Sequence, residues 1–372
     1  GSLVVVGSSG LVRVHVHTNT PETAIQAASE LGDVQDTKID DMREQHREFI
    51  RTVGTGHAGE TLAAEGSLAD EPGRQTRRRA SGDRRLRRVR IVTDSTADLP
   101  PGLADDLGIT VVPLRVHFED GSFRDGVDLT NKQFYEKLEA SAGLPTTSQP
   151  TPHEFIEVYE RLSWETKTVL SIHISSAMSG TMQSARSAGG AVDGVQVLAV
   201  DSHLTSAPLG MVVVEAARAA QEAAQLPELA TLVSNLSVRA RVFFTVGSLD
   251  YLVRGGRIGR CKALIGKLAR LKPILTIADG VVTPAGKARG DDGVLEALLE
   301  LAAPELEGGT GGTLGVLHAQ RPDIPGKVEA AFRERFGFDE MQVSELGSIV
   351  GTHTGPGTWG VSYFARRRVA RP

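Results

Sequence analysis

Two short segments of the sequence concentrate hydroxyl side chains and backbone amides in a way that suits the binding of an anion. The first is Thr146-Thr147-Ser148-Gln149-Pro150, and the second, about thirty residues later, is Ser175-Ser176-Ala177-Met178-Ser179-Gly180-Thr181. Neither segment has an evident general base beside its serines. The hydroxyls are therefore expected to donate hydrogen bonds to a carboxylate or phosphate rather than to act as nucleophiles. The sequence indicates a binding protein first.

Each segment also has an ordinary structural explanation. Thr147 lies between Pro145 and Pro150 and could simply set a turn, and Ser179-Gly180 could cap the helix that follows. Taken one at a time, the two segments leave this alternative open.

The elements that must position these segments alternate between strands and helices from Val89 onward. Apolar runs predict strands near 90–93, 109–113, 168–174, 196–200, 242–246, 274–283 and 313–318. Helical spacing predicts helices near 103–107, 131–140, 152–162, 180–188, 208–224, 262–271 and 294–301. This alternation is typical of an α/β fold.

Polar turns follow several of the predicted strands, at Asp94, Ser175 and Asp201. Open α/β sheets bind ligands at the carboxyl ends of their strands, so these turns are expected to converge on one crevice. Asp94 and Asp201 could be catalytic carboxylates, but no metal-ligand spacing joins them, and helix capping is favoured. A strand leading into a glycine turn is predicted at 346–357, and it offers His353 to the crevice.

Composition limits the class of protein. The 372 residues carry a net charge of -5, are 40% hydrophobic and include a single cysteine, Cys261, so no intrachain disulfide can form. No run of eighteen apolar residues and no secretion signal is present, so the expected location is the cytoplasm without membrane insertion.

The chain is expected to contain four parts. Residues 1–52 read as strand, strand, helix and strand, which is too little for a core and indicates part of a larger domain. Residues 53–88 are rich in arginine, with nine arginines between Arg74 and Arg90. No aromatic residue lies among them, so a solvated linker is favoured over a nucleic-acid-binding arm. Residues 89–240 and 241–372 are predicted to form two lobes.

Residues 89–368 are similar to the DegV family of bacterial fatty-acid-binding proteins. The resemblance is carried by separated motifs in family order: Asp94-Ser95, Leu99-Pro100, Thr147-Ser148-Gln149-Pro150, Ser179-Gly180-Thr181, Gln183-Ser184-Ala185, Leu249-Asp250-Tyr251-Leu252, Gly255-Gly256-Arg257-Ile258 and His353-Thr354-Gly355-Pro356-Gly357. It implies a two-lobed α/β protein with a ligand crevice between the lobes. One long-chain fatty acid would lie there with its acyl chain in an apolar tunnel.

The resemblance also implies which residues hold the fatty-acid carboxylate. Carried over position by position, they are Thr147, Ser148, Ser179, Gly180 and His353, the last from the opposite lobe. Hydroxyl and amide donors would orient the acid without a strong ion pair.

Arg257 matches the family's arginine near the pocket mouth, where the resemblance implies a role in partner docking or phosphotransfer. The alternative is an ordinary surface arginine beside Arg254 and Arg260. Both interpretations stay open.

Residues 1–52 resemble the end of the middle domain of the bacterial fatty acid kinase, which is related to dihydroxyacetone kinases. The resemblance rests on 3–7, 14–19 and 38–46. It implies an ATP-binding domain upstream, which would phosphorylate the acid held by a DegV-type partner to give an acyl phosphate. It also implies a metal such as zinc at His15 and His17, together with an upstream cysteine that this chain lacks. The alternative is that the two are ordinary strand histidines.

The function expected from the sequence is a carrier that binds a long-chain fatty acid and presents it to an ATP-dependent kinase module. No Walker-type sequence occurs, so the chain is not expected to be an enzyme alone or to need a cofactor for binding. One alternative is a serine hydrolase using Ser179 and His353, but the Gly-x-Ser-x-Gly elbow is absent around Ser179. Another is a lipid-sensing regulatory protein. Acyl length and oligomeric state do not follow from the sequence.

Overall fold

The computed structural model describes residues 88–265, 271–307 and 311–364, together with residues 26 and 29 and the backbone of 3–8 and 11–16. The chain divides into two compact units, 1–71 and 72–372. In the first unit β1 (Leu3–Ser8) pairs antiparallel with β2 (Leu11–Val16), and Val4 lies opposite His15. The predicted strand near residue 39 and the linker residues 53–87 lie outside the described residues, as does most of the helix predicted after Thr20.

The second unit contains three sheets. Its strands are β3 (Arg90–Asp94), β4 (Thr110–Val112), β5 (Arg115–Phe118), β6 (Gly121–Arg124), β7 (Thr146–Ser148), β8 (Thr168–His173), β9 (Gln196–Asp201), β10 (Ala240–Thr245), β11 (Lys272–Ala278), β12 (Val281–Ala288), β13 (Thr313–His318), β14 (Glu340–Glu345) and β15 (Trp359–Phe364).

Helices separate most of these strands. They are α1 (Leu103–Leu107), α2 (Asn131–Ala140), α3 (Pro152–Ser163), α4 (Thr181–Gly189), α5 (Ala207–Gln221), α6 (Leu226–Arg239), α7 (Asp250–Arg254), α8 (Gly290–Leu306), α9 (Ile324–Phe336) and α10 (Ser348–Thr354), with 3₁₀ turns at Ser95–Ala97 and Gly259–Leu264.

The four-stranded sheet is parallel, in the order β4-β3-β8-β9, and helices cover both of its faces. Side chains alternate along β8: Leu170 and Ile172 pack with residues of α5 and α6, whereas Val169 packs with Phe155 and Tyr159 of α3. A parallel sheet needs such cover on both sides because both faces are apolar. The strand order reverses between β3 and β8, and the turn that leads from β8 to α4 starts at this switch point. Doubly wound sheets bind ligands at such a position.

The six-stranded sheet has the order β12-β11-β10-β15-β13-β14, and all of its pairs are antiparallel except β13 with β14. The third sheet is antiparallel, in the order β6-β5-β7. The α/β fold class is confirmed.

The structure corrects three local predictions. Residues 348–354 form a helix, not a glycine turn after a strand. The helix predicted over 262–271 is a 3₁₀ turn that ends at Leu264, while 266–270 lie outside the described residues. The helix predicted to reach Ala224 ends at Gln221, and a separate α6 follows, opened by a capping box between Gln225 and Glu228.

Candidate functional site

A cavity of about 380 Å³ lies between the six-stranded sheet and the carboxyl end of β8. Val242, Phe244 and Leu317 line it from the six-stranded sheet, and the exposed wall is mostly apolar. Its volume falls in the range of roughly 300–1,000 Å³ that is usual for small-molecule sites. The wall suits a ligand with an apolar body.

Thr147 and His353 meet at the wall of this cavity. Thr147 lies on β7, where it is paired with Val116 of β5, and His353 lies in the last turn of α10. Thr147 Oγ1 is 2.9 Å from His353 Nε2. The structure therefore brings together two predicted carboxylate contacts that are more than two hundred residues apart.

His353 is held in its neutral form. Burial lowers its pKa to about 4, and the positive charge of Arg257 lowers it in the same direction. Both effects disfavour the imidazolium ion. At neutral pH His353 is therefore a hydrogen-bonding group and not a cation.

The surroundings of His353 also favour one tautomer. Its Nδ1 atom is buried and has no hydrogen-bond partner within the described part of the chain. A proton on Nδ1 would be a buried, unsatisfied donor, whereas a proton on Nε2 is donated to Thr147 Oγ1. With the proton on Nε2, the hydroxyl proton of Thr147 is left to donate toward the cavity.

Ser179 lies in the turn between β8 and α4 and also lines the cavity. Its Oγ atom is 2.8 Å from the hydroxyl of Thr181 and accepts a hydrogen bond of 3.3 Å from the Thr181 amide. A local bond to the first residue of α4 is thus present, although the N-cap residue is Gly180 and α4 has no side-chain cap. Either hydroxyl can donate in the 2.8 Å pair. When Thr181 donates, Ser179 keeps its own proton for a ligand, because one hydroxyl accepts two hydrogen bonds and donates one.

Gly180 is the residue at which the chain enters α4, and the side chain of Gln149 packs closely against it. A Cβ atom there would lie 2.1 Å from Oε1 of Gln149, whose Nε2 atom donates to Ser184 Oγ. The backbone of Gly180 has an ordinary φ of -77°, so a larger residue would need only the Gln149 side chain to move. The Gly180 amide donates no hydrogen bond to the described residues, but Gly180 itself is not among the residues that line the cavity.

Ser148 lines the cavity, but its hydroxyl is engaged elsewhere. Its Oγ atom is 2.8 Å from Nε2 of His117 on the neighbouring strand β5. Successive side chains of a strand point to opposite faces, which accounts for Thr147 reaching His353 while Ser148 reaches His117.

Arg257 bridges two turns at the cavity. Its Nε atom donates to the carbonyl of Met178 at 3.2 Å, and one terminal nitrogen donates to the carbonyl of Gly255 at 2.8 Å. The side chain is otherwise exposed, and its second terminal nitrogen has no partner among the described residues. Arg257 is thus held at the cavity with one edge of its guanidinium group free.

The strand-end aspartates serve the fold, as favoured from the sequence. Asp94 is fully buried and accepts hydrogen bonds from the amides of Thr96 and Ile174. Asp201 accepts hydrogen bonds from the amides of Ser176 and His203. Both carboxylates hold turns.

Two serine–histidine arrangements bear on the hydrolase alternative. His353 Nε2 bonds to Thr147 and Ser179 bonds to Thr181, so the expected nucleophile and base are not paired with each other. Ser171, His173 and Asp94 do form a chain of hydrogen bonds, but all three are fully buried and do not line the cavity.

The predicted metal site is only partly covered by the structure. His15 lies on β2, and His17 lies outside the described residues. No group of three or more potential metal ligands occurs within the residues that the structure describes. In the same part of the chain, no helix combines the length and the apolar character needed to cross a bilayer.

Sequence reasoning missed two polar residues that shape the site. His117 binds the Ser148 hydroxyl, and Gln149 packs against Gly180. Gln149 was visible as part of the first hydroxyl-rich segment. His117 had no local signal, since its role depends on the pairing of β5 with β7.

Comparison with known proteins identifies relatives across most of the chain. A DegV domain-containing protein of Halalkalibacterium halodurans is 37% identical over 283 residues, which is 76% of this chain and 100% of the relative. The protein DegV of Bacillus subtilis is 33% identical over 276 residues, which is 74% of this chain and 98% of the relative.

Solved structures of similar proteins share the fold. A DegV family protein from Thermus thermophilus, described for its fatty acid binding, is 36% identical, with a TM-score of 0.71, over 75% of this chain and 100% of its own. DegV of Bacillus subtilis, described as a fatty acid binding protein, is 31% identical, with a TM-score of 0.68, over 75% of this chain and 99% of its own.

Family comparisons divide the chain in two. Residues 1–49 match the middle domain of FakA-like fatty acid kinase proteins. Residues 88–366 match the DegV family, described as uncharacterised proteins. This second match covers the cavity and every residue of the candidate site, and the chain therefore belongs to the DegV family.

Proposed function

We propose that this protein binds one long-chain fatty acid in the cavity and presents the carboxyl group to an ATP-dependent fatty acid kinase. The observation that carries the proposal is an apolar cavity whose wall includes the hydrogen-bonded pair Thr147 and His353, with Ser179 nearby in the turn after β8. Fatty acid binding by similar proteins from Thermus thermophilus and Bacillus subtilis supports it.

The carboxylate would be held by neutral donors. Thr147 has a hydroxyl proton to donate, as does Ser179 when it accepts from Thr181, and the Gly180 amide follows Ser179 in the chain. Neutral hydrogen bonds are weaker than a bidentate arginine contact. The acid would thus be oriented while its oxygens stay reactive toward an electrophile.

The acyl phosphate would form by attack of a carboxylate oxygen on the γ-phosphorus of ATP. The new bond joins carboxylate oxygen to phosphorus, the bond from the γ-phosphorus to the bridging oxygen breaks, and ADP leaves. In-line phosphoryl transfer depends mainly on positioning and on neutralising charge. Arg257, the one fixed cation among the described cavity residues, would meet the partner or the transferred phosphoryl group with its free edge.

The match of residues 1–49 supports a kinase as the partner. A fatty acid kinase middle domain on the same chain as a DegV carrier would keep donor and acceptor at a high effective concentration. The nucleotide-binding part would come from a separate domain or protein.

Native mass spectrometry of the purified protein, followed by extraction and identification of the released lipid, tests the binding proposal. One equivalent of a long-chain fatty acid is expected. A protein that stays free of lipid after incubation with such acids would contradict fatty acid binding. Formation of an acyl phosphate from the loaded protein, ATP and a fatty acid kinase tests the presentation step.

A further inference from the structure

Helix α10 carries four of the residues that line the cavity, namely Ile349, Val350, His353 and Thr354. The helix has only seven residues, and its N-cap residue, Gly347, has no side chain to bond the first amides. Isolated helices of this length are unstable in water. Something outside the helix must fix its start.

Two carboxylates from distant parts of the chain bind the start of α10. Asp98 Oδ1 accepts a hydrogen bond of 3.0 Å from the Gly347 amide. Asp125 Oδ1 accepts bonds of 2.9 Å from the amide and 2.7 Å from the hydroxyl of Ser348. Both aspartates are buried, with 7% and 5% of their surface exposed. They replace the side-chain cap that the helix lacks.

The two aspartates are themselves firmly placed. Asp98 follows the 3₁₀ turn after β3 with a left-handed φ of 44° and accepts a 2.6 Å bond from the hydroxyl of Ser206, another cavity-lining residue. Asp125 follows β6, and its amide donates to the carbonyl of Leu114. No ion pair to either carboxylate comes from the described lysines, arginines or histidines. Hydrogen bonds, including those from the start of α10, are therefore what satisfies them.

Gly347 lies between the two carboxylates. A Cβ atom there would be 3.0 Å from Asp98 Oδ1 and 3.2 Å from Asp125 Oδ2. The close fit fixes the position of the helix start, and the far end of the same rigid helix presents His353 to Thr147.

We propose that Asp98 and Asp125 are positioning residues that hold α10 so that His353 and Thr147 form the carboxyl-binding pair. The proposal rests on the proposed fatty acid binding. Neither aspartate lines the cavity, so both act through their partners. These partners are the start of α10 for both aspartates and also Ser206 for Asp98, so the test uses Asp125. If they served only the stability of the fold, their loss would weaken the binding of every ligand alike. If they position His353, their loss weakens the binding of a fatty acid more than the binding of the fatty alcohol of the same chain length, because only the acid needs the aligned donors.

The test compares the affinities of the full chain for palmitic acid and for hexadecanol. Asp125→Ala should weaken acid binding about tenfold, as expected for misaligned hydrogen bonds, and alcohol binding by no more than about twofold. Asp125→Asn keeps an oxygen facing the Ser348 amide and should retain most of the acid affinity that Asp125→Ala loses. Ser348→Ala removes only the 2.7 Å bond and serves if the aspartate variants do not fold. Glu305→Ala is the control. Glu305 lies on another helix, α8, and bonds Arg241 and Tyr363.

Two readouts separate positioning from general stability. In a Thr147→Val background, Asp125→Ala should cause no additional loss of acid affinity, because the aligned pair is already broken. The imidazole resonances of His353 should shift in Asp125→Ala and not in Glu305→Ala. Equal loss of acid and alcohol affinity, or an unchanged His353 signal, would overturn the positioning role. A wild-type protein that binds the acid no better than the alcohol would instead overturn the proposed carboxyl-binding function.

Discussion

The backbone of Gly255 lies directly against the ring of His353. A Cβ atom on Gly255 would be 2.2 Å from Nδ1 of His353, closer than real Cβ contacts. The φ of Gly255 is -72°, which any residue adopts, so only the space for the imidazole requires glycine. The turn that carries Arg257 and the helix that carries His353 are thus fitted to each other.

Replacing Gly255 by alanine should displace His353 and disturb its bond to Thr147. Acid affinity should fall about tenfold, and the free energy of unfolding should drop by about 1–3 kcal/mol from overpacking. The control is Gly326→Ala in α9, where an added Cβ meets nothing within 4 Å. That variant should keep its affinity and gain up to about 1 kcal/mol in stability. Calorimetric titration measures the acid affinity, and urea unfolding measures the free energy of unfolding. If Gly255→Ala leaves the acid affinity unchanged, binding does not depend on the position of His353.

Replacing Ser179 by alanine should weaken retention of the acid without unfolding the protein. The change removes the hydroxyl that is proposed to donate to the carboxylate, so an affinity loss of about tenfold is expected. Ser176→Ala is the matched control, because Ser176 lies in the same turn but is exposed and outside the cavity lining. Lipid content after purification is the measurement. Equal lipid content in the two variants would count against the carboxylate assignment of Ser179.

The sequence predicted best those elements whose signals are local. The helix at 131–140 matches its predicted bounds because Thr130 and Gln133 form a capping box that the local sequence displays. The strand at 313–318 also matches its predicted bounds, since its apolar run is flanked by glycines and polar residues. Periodicity and capping depend on neighbours in the chain, which a single sequence contains.

Helix α10 shows why the remainder was not predictable. Residues 347–355 contain three glycines and three threonines or serines in close succession, which locally favour a turn. The segment is helical because Asp98 and Asp125, more than two hundred residues away, bind its first amides. The sequence pattern offers His353 to the crevice, and the family resemblance assigns it to the carboxylate. Its contact with Thr147, its neutral state and the engagement of Ser148 by His117 all depend on tertiary packing.

Acidification should destabilise the protein partly through His353. Its folded-state pKa of about 4 lies below the ordinary value of 6.5. Between pH 6.5 and pH 4 the unfolded chain takes up a proton that the folded chain excludes, so the free energy of unfolding falls as the pH drops through this window. The contribution amounts to roughly 3 kcal/mol at full shift.

A His353→Gln variant isolates this effect, because glutamine can still bond Thr147 but does not titrate. The pKa values of Asp98 and Asp125, which burial raises, affect wild type and variant alike and cancel in the comparison. Urea unfolding at several pH values measures the free energy of unfolding of both proteins. The value for the variant should rise relative to that of the wild type as the pH falls from 6.5 to 4. Parallel curves for the two proteins would mean that His353 titrates normally in the folded state.

Replacing Arg257 by alanine should separate binding from phosphoryl transfer. The guanidinium of this exposed side chain donates to two backbone carbonyls, those of Met178 and Gly255, and it is not among the proposed carboxylate contacts. Fatty acid affinity should therefore change by no more than about threefold. Loss of the cation that is proposed to meet the transferred phosphoryl group should slow acyl phosphate formation by a fatty acid kinase at least about a hundredfold, because phosphoryl transfer depends on charge neutralisation. Arg254→Ala is the control, since Arg254 is exposed on the preceding helix and does not line the cavity. If the acid bound to the Arg257 variant is phosphorylated at the wild-type rate, Arg257 is an ordinary surface arginine. If the variant no longer retains the acid, Arg257 is part of the carboxylate site.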